Sequence, residues 1–135
     1  MREIKVAAFR PDIDKIITCV EEMLEDAGCP MKTVFQINTV IDEVFTNIAD
    51  YAYGPKGGEA TVRIEILPEP RRLWLEFSDA GIPFDPLAKE DPDVTLSAEE
   101  RTVGGLGIFL VKKLMDKVGY AYSGGRNVLT MEKAF

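Results

Sequence analysis

Three short clusters hold side chains whose type and spacing suit chemistry. In the first, Glu43 and Asn47 stand four residues apart and Asp50 follows three later. Four residues of an α-helix turn about 400° and seven about 700°, so on a helix all three share one face. A carboxylate there can accept the proton of an attacking hydroxyl or water, and a carboxamide oxygen is a hard ligand suited to Mg²⁺. The second cluster is Ser78-Asp79-Ala80-Gly81, after an alternating run that ends in Phe77. An aspartate at a buried strand end can accept a hydrogen bond from an amino group such as that of adenine, and Gly81 removes the side chain that would keep a flat base away. The third is Gly104-Gly105-Leu106-Gly107, ahead of a helical run. A helix N-terminus offers unpaired N–H groups and the positive end of the dipole, which together attract phosphate. The run is neither a Walker A loop, since no Gly-Lys-Ser/Thr follows, nor a GxGxxG turn directly after a strand. Each cluster also has an ordinary explanation: a solvated helix face, a turn after a strand, a flexible joint into a helix.

The elements that must position these residues follow from hydrophobic period. Residues 3–8 alternate and suggest a strand. Pro11 and Asp12 open a helix with Ile13, Ile16, Ile17, Val20, Met23, Leu24 and Ala27 on one stripe, stopped by Gly28. Pro30 opens a second helix. Its stripe is Val34, Ile37, Ile41, Val44, Ile48 and Tyr51, so it is expected to run from about 31 to 53, up to the turn at Gly54-Pro55-Lys56-Gly57-Gly58. Two strands follow, with Val62, Ile64 and Ile66 inward on one and Leu73, Leu75 and Phe77 on the other. The prolines of Pro68-Glu69-Pro70-Arg71 forbid a tight primed turn between them. Trp74 has the opposite parity and faces a dimer partner or covers the outer side of the sheet. Residues 85–103 form a long stretch of weak period. Loops of that length are functional lids or disordered segments, and Ser97-Ala98-Glu99-Glu100 within it reads as a capping box. A third helix carries Ile108, Val111, Leu114, Met115 and Val118 and ends at Gly119, and a closing hairpin surrounds Gly124-Gly125. The expected architecture is a single domain over 1–135. It is an α/β (α+β) two-layer sandwich, with a mixed, mainly antiparallel sheet and helices on one face.

Composition narrows the function classes. The 135 residues suffice for one domain with a core of its own. Sixteen basic against 23 acidic residues give a net charge of −7, the wrong balance for a generic phosphate-backbone binder, so no direct nucleic-acid partner is expected. The absence of histidine excludes a Ser-His-Asp triad, a Cys-His pair, His-ligated zinc and a phosphoacceptor histidine within this chain. Cys19 and Cys29 show no CxxC pattern and read as buried thiols of a reducing cytoplasm. No apolar run approaches the roughly 20 residues of a membrane span, and no signal peptide is evident at the start.

The order of the three clusters is more specific than any one of them. A helix with Glu43-x-x-x-Asn47, a strand ending in Asp79-x-Gly81, a long loop and then Gly105-x-Gly107 opening a helix resembles the ATP-binding domain of the gyrase, histidine kinase and MutL superfamily, the Bergerat fold. Three stretches, Ile41-Asp42-Glu43 to Tyr53, Gly81-Ile82-Pro83-Phe84-Asp85-Pro86 and Gly105-Leu106-Gly107-Ile108-Phe109-Leu110 to Asp116, look most like the bacterial anti-sigma-factor serine/threonine kinases. The resemblance covers nearly the whole chain. It implies that Asn47 coordinates the Mg²⁺ that bridges the ATP phosphates and that Glu43 is the general base for a substrate serine or threonine. Asp79 would recognise the adenine amino group, with Gly81 letting the base lie close. Gly104, Gly105, Leu106 and Gly107 would wrap the phosphates, and Arg101 would either reach the γ-phosphate or be a solvated charge of the loop. Asn127 stands where relatives offer a threonine toward the adenine pocket. Pro83 replaces the second glycine of the Asp-x-Gly-x-Gly box, and Asp50-Tyr51 stands where a histidine or similar residue often follows the asparagine. The implied partners are a small anti-anti-sigma (STAS-type) protein as substrate, a sigma factor held inactive, and a second copy of the chain in a homodimer. The implied location is the cytoplasm. A second reading is a non-catalytic switch whose partner affinity responds to ATP and ADP.

Overall fold

The structure, a computed structural model, describes residues 1–88 and 105–135. Strand β1 (Arg2–Ala7) leads through a 3₁₀ turn (Arg10–Asp12) into α1 (Ile13–Asp26), and α2 (Met31–Asn47) continues into a π-helical turn (Ile48–Ala52). Next come β2 (Glu59–Leu67), β3 (Arg72–Asp79), a 3₁₀ turn (Pro86–Ala88), α3 (Gly105–Leu114), β4 (Lys117–Ser123) and β5 (Arg126–Ala134). Of the long loop expected over 85–103, the start is described and includes the 3₁₀ turn Pro86–Ala88; the rest, with its capping box and Arg101, and Gly104 fall outside the described residues.

The five strands form one sheet in the order β1-β2-β3-β5-β4. Every pairing among the described residues is antiparallel, so the sheet is not mixed as expected. The reason lies in the last hairpin. Gly124 and Gly125 both take positive φ, as a primed two-residue turn requires, so β5 folds back inside β4 and lies antiparallel to β3.

All three helices pack on one face of the sheet, with α2 between α1 and α3. Inward residues Val62, Ile64, Leu73, Leu75, Phe77, Leu129 and Met131 are buried. They meet Ile16, Val20 and Leu24 of α1, Ile37, Val40, Ile41, Val44 and Phe45 of α2, and Ile108 and Val111 of α3. Among the described residues no helix covers the outer face, which is laced with ion pairs: Arg63 with Glu3 at 3.0 Å and Arg72 with Glu132 at 2.6 Å. Trp74 lies on this outer face, half-buried between its register partners Glu65 and Glu132.

Pro11 and Asp12 open α1 as expected, and Asp12 Oδ2 accepts from Ala7 N–H at 2.9 Å, which tethers the end of β1. Two boundaries differ from the sequence reading. Regular α-geometry in α2 stops at Asn47, because the next turn bonds outward: Asp50 to Arg10, and Ala52 O to Ile82 N–H at 3.0 Å. The third helix stops at Leu114. Val118 belongs to β4, opposite Met131, and Gly119 pairs with Thr130 rather than ending a helix. Asp116 starts the pairing, donating its N–H to Glu132 O at 2.9 Å and accepting from Ala134 N–H at 2.7 Å. Cys19 and Cys29 are free thiols, as expected, but they are half-buried rather than buried.

Candidate nucleotide-binding site

Between the end of α2 and the sheet lies an open cleft with about 650 Å³ of empty space. Its walls are apolar: Val44 and Ile48 from the α2 side, Ile108 from α3, Phe77 and Leu129 from the sheet, and Ile82, Phe84 and Pro86 at the rim. The polar groups in it are Asn47, Asp79 and Asn127, with the phenols Tyr51 and Tyr120. A mostly apolar cleft with a few fixed polar groups is the usual form of a small-molecule site.

Asp79 ends β3 and is buried. Its Oδ1 accepts from Gly81 N–H and from Asn127 Nδ2, both at 2.9 Å. Oδ2 has no protein partner among the described residues, so one acceptor remains for a ligand. Gly81 does more than clear space for a base. A Cβ there would collide with the carbonyl oxygen of Ala52 in the π-helical turn, so the glycine lets the post-β3 loop dock onto the end of the α2 segment.

Glu43 and Asn47 stack one turn apart at the end of α2, as the spacing predicts. Asn47 lines the cleft, and neither side chain has a hydrogen-bond partner among the described residues. Asp50, expected on the same face, is not there. The wider π-helical turn takes it away, and it forms a two-bond pair with Arg10, whose Nε donates to Oδ1 at 2.9 Å. That hydrogen bond holds the Asp50 carboxyl below its ordinary pKa.

Among the described residues α3 spans Gly105–Leu114, so Gly105-Leu106-Gly107 lies in its first described turn. Gly107 faces Glu43, and a Cβ on it would strike the Glu43 carboxylate at Oε2. Glu43 and the first turn of α3 are thus in direct apposition, although they are 64 positions apart in the chain. Of Gly105 and Leu106 the structure gives the backbone only, and Gly104 and Arg101 fall outside the described residues.

Asn127 sits opposite Asp79 in the β3–β5 register and is buried in the cleft wall. Its amide is engaged by protein groups on both ends rather than left open toward a ligand. Two residues that spacing did not single out support the same region. Tyr53 donates its hydroxyl to Glu59 O at 2.6 Å and accepts from Ala80 N–H at 2.8 Å, which braces the residue after Asp79. Tyr120 of β4 donates to Asn127 Oδ1. Burial raises the Tyr120 phenol above its ordinary pKa, so it keeps the proton it donates. The contact of Tyr120 with Asn127, 7 residues on, becomes apparent only once the last hairpin is folded.

The cleft can therefore do two things. One end holds an acceptor between apolar walls, fit for a flat ring with an amino group. The other end brings a carboxylate and a free carboxamide against a helix N-terminus, fit for an anion, a cation and a proton transfer.

The sequence profile of the histidine kinase-like ATPase domain matches residues 7–133. The serine-protein kinase RsbW of Listeria monocytogenes is 32% identical over 108 residues, covering 76% of this chain and 68% of that protein. The serine/threonine-protein kinase BtrW of Bordetella bronchiseptica is 28% identical over 97 residues, covering 72% of this chain and 68% of its own length. Among solved structures, the RsbU and RsbW domains of a Mycobacterium tuberculosis protein match with a TM-score of 0.65 at 12% identity; the match covers 99% of this chain and 32% of that one. A chain of the SiaB–SiaC complex of Pseudomonas aeruginosa matches with a TM-score of 0.61 at 17% identity, over 98% of this chain and 89% of that one. These structural likenesses agree in fold, and the sequence matches carry the kinship. The chain belongs to the histidine kinase-like ATPase family, within its serine-protein kinases, and is an ATP-using enzyme of that kind.

Proposed function

We propose that this chain transfers the γ-phosphoryl group of ATP to a serine or threonine of a small anti-anti-sigma (STAS-type) protein, and that it holds a sigma factor inactive when that substrate is spent. The observation that carries the reading is the apposition of Glu43 with Gly107 at the first turn of α3. It sets a carboxylate beside a phosphate-attracting helix end, at the far side of a cleft whose other end holds Asp79. Asp79 orients the purine through Oδ2, and the apolar walls exclude water from its faces. Gly105 and Gly107 leave the start of α3 bare enough for phosphate oxygens to reach N–H groups. Glu43 takes the proton of the attacking hydroxyl as its oxygen bonds to phosphorus and the bond to the leaving ADP breaks.

Asn47 fits a Mg²⁺ ligand, because its amide is uncommitted among the described residues and its oxygen is a hard donor. Among the described residues no three acidic or thiol side chains converge, so the remaining positions of such an ion would go to phosphate and water. When bound, the ion neutralises charge on the phosphates. Gly104, Leu106 and Arg101 complete the phosphate end in this reading. We assign a homodimer and a cytoplasmic location on the resemblance. No helix of the described residues is long and apolar enough to cross a membrane.

The test is transfer of labelled phosphate from ATP to the STAS-type protein of the same organism, by wild type and Glu43→Gln. The variant should bind nucleotide normally and transfer about 10²–10⁴-fold more slowly. Wild-type rates in the variant would remove Glu43 as the base. ATP-dependent partner binding with no transfer by the wild type would favour the switch reading.

A further inference from the structure

Asn127 uses its whole hydrogen-bonding capacity on the cleft wall. A carboxamide has two N–H donors and two acceptor lone pairs. The donors go to Asp79 Oδ1 at 2.9 Å and to Ile82 O at 2.8 Å. The oxygen accepts from Phe84 N–H at 3.0 Å and from the Tyr120 hydroxyl. One side chain thus joins β3, the rim segment 82–84, β4 and β5.

We propose that Asn127 is a positioning residue for base recognition. Its amide, held in one sense by Asp79, the Ile82 carbonyl and the Phe84 N–H and braced in place by Tyr120, locks Asp79 and the rim segment into a single wall that offers the purine an acceptor and no donor. The proposal rests on the reading that Asp79 recognises the base.

The locking follows from the inventory. Rotating the amide by half a turn would set its oxygen against a carboxylate and a carbonyl, and its NH₂ against the Phe84 N–H. Three attractive contacts, those with Asp79, Ile82 and Phe84, would become repulsive, while the Tyr120 hydroxyl could adapt by accepting; in a buried wall each unsatisfied group is costly. A hydroxyl in the same place has one proton and cannot donate to both Asp79 and Ile82. With Oδ1 of Asp79 engaged twice, Oδ2 alone is presented to the cleft. A 6-amino purine supplies the matching donor, whereas a 6-oxo purine would set oxygen against oxygen. A freely turning amide could relieve that clash by offering its NH₂; the locked one cannot. Among the described residues, the other titratable or charged groups around the wall include Tyr120 and Tyr122 of β4, Asp85 of the rim, Tyr51 of the π-helical turn, Tyr53, which accepts from Ala80 N–H, and Arg126, which donates to Ser78 at 3.3 Å.

The test is ADP and GDP binding by titration calorimetry from about pH 5.5 to about 8.5, on the full chain and three variants. Asn127→Asp sets a second carboxylate at hydrogen-bond distance from Asp79. Two such groups do not readily ionise together, so at the acidic end the pair keeps one shared proton that preserves the link to Asp79, while the bond to Ile82 O is lost at every pH. As pH rises and that proton leaves, repulsion opens the wall. The ADP dissociation constant of Asn127→Asp relative to wild type should therefore rise about tenfold across the range. A pH-independent ratio, whether near one or uniformly high, overturns the proposal. Tyr120→Phe removes one clamp on the amide while keeping the ring, and it decides the matter if Asn127→Asp does not fold. It should narrow the preference for ADP over GDP by about threefold or more; an unchanged preference overturns the lock. Asp79→Asn separates the two readings. If Asp79→Asn binds ADP like wild type, base recognition by Asp79 fails. If it loses ADP while the Asn127→Asp ratio stays flat, only the role of Asn127 fails.

Discussion

At Gly81 an added Cβ would meet backbone, the carbonyl of Ala52, whereas at Gly107 it would meet the tip of a flexible side chain, Glu43. Backbone cannot step aside without losing the Ile82 N–H to Ala52 O bond. Gly81→Ala should therefore cost about 1–3 kcal/mol in a denaturant titration and weaken nucleotide binding with it. At Gly107 the carboxylate can swing away, and alanine is the better helix former by about 0.5–1 kcal/mol. Gly107→Ala should keep or gain stability and still bind ADP, yet transfer phosphate at least about tenfold more slowly, because the displaced Glu43 no longer meets the hydroxyl. Equal losses of stability and activity in both variants would refute this distinction. Glu43, Asn47 and Asp79 were legible in the sequence because helical spacing and a strand end mark faces and termini. The saturation of Asn127 was not. It depends on a neighbour 48 positions away across the sheet and on a phenol on the next strand, and local period carries neither.

Among the elements, the turn Ile48–Ala52 is where the sequence reading and the structure part. Its apolar spacing continues that of α2, so a helix to about 53 was a sound inference from pattern alone. The two outward bonds, from Arg10 to Asp50 and from Ile82 to Ala52, widen the turn instead. Arg10 thereby ties the start of α1 to the segment that carries Ile48 and Tyr51 into the cleft. The Asp50 carboxyl is held below its ordinary pKa by this pair. Its contribution is therefore present above the unfolded value of about 3.9 and is lost as pH falls through the lower folded value. Arg10→Ala should melt below wild type at neutral pH, and the gap should close in strong acid and shrink at high salt, since the pair is solvent-accessible. A melting gap that does not vary with pH would assign the loss to packing of the Arg10 stem. The end of α3 was misjudged for a related reason. Val118 keeps the helical period, but pairing with β5 claims it for the sheet.

For the molecule as a whole, one apolar layer between sheet and helices supports the cleft, so ligand binding and global stability are linked. Nucleotide at 100 times its dissociation constant should raise unfolding free energy by about 2.7 kcal/mol. That is a rise of several degrees in a thermal-shift assay with ADP or ATP, and Asp79→Asn should abolish it. The fold class and the helix-covered face were readable from alternation and stripe. The fully antiparallel order depended on a hairpin folding back inside its own edge, which composition cannot convey. The single tryptophan adds a spectroscopic consequence. Trp74 stands on the outer side of the sheet, opposite the helices, and the cleft opens on the other, with tyrosines at its walls. Its emission should follow chain unfolding and stay silent during nucleotide titration of a dilute monomer. A change in intensity or wavelength when a second protein is added would then signal occupancy of that outer surface, giving an optical readout that separates macromolecular docking from small-molecule uptake without any label.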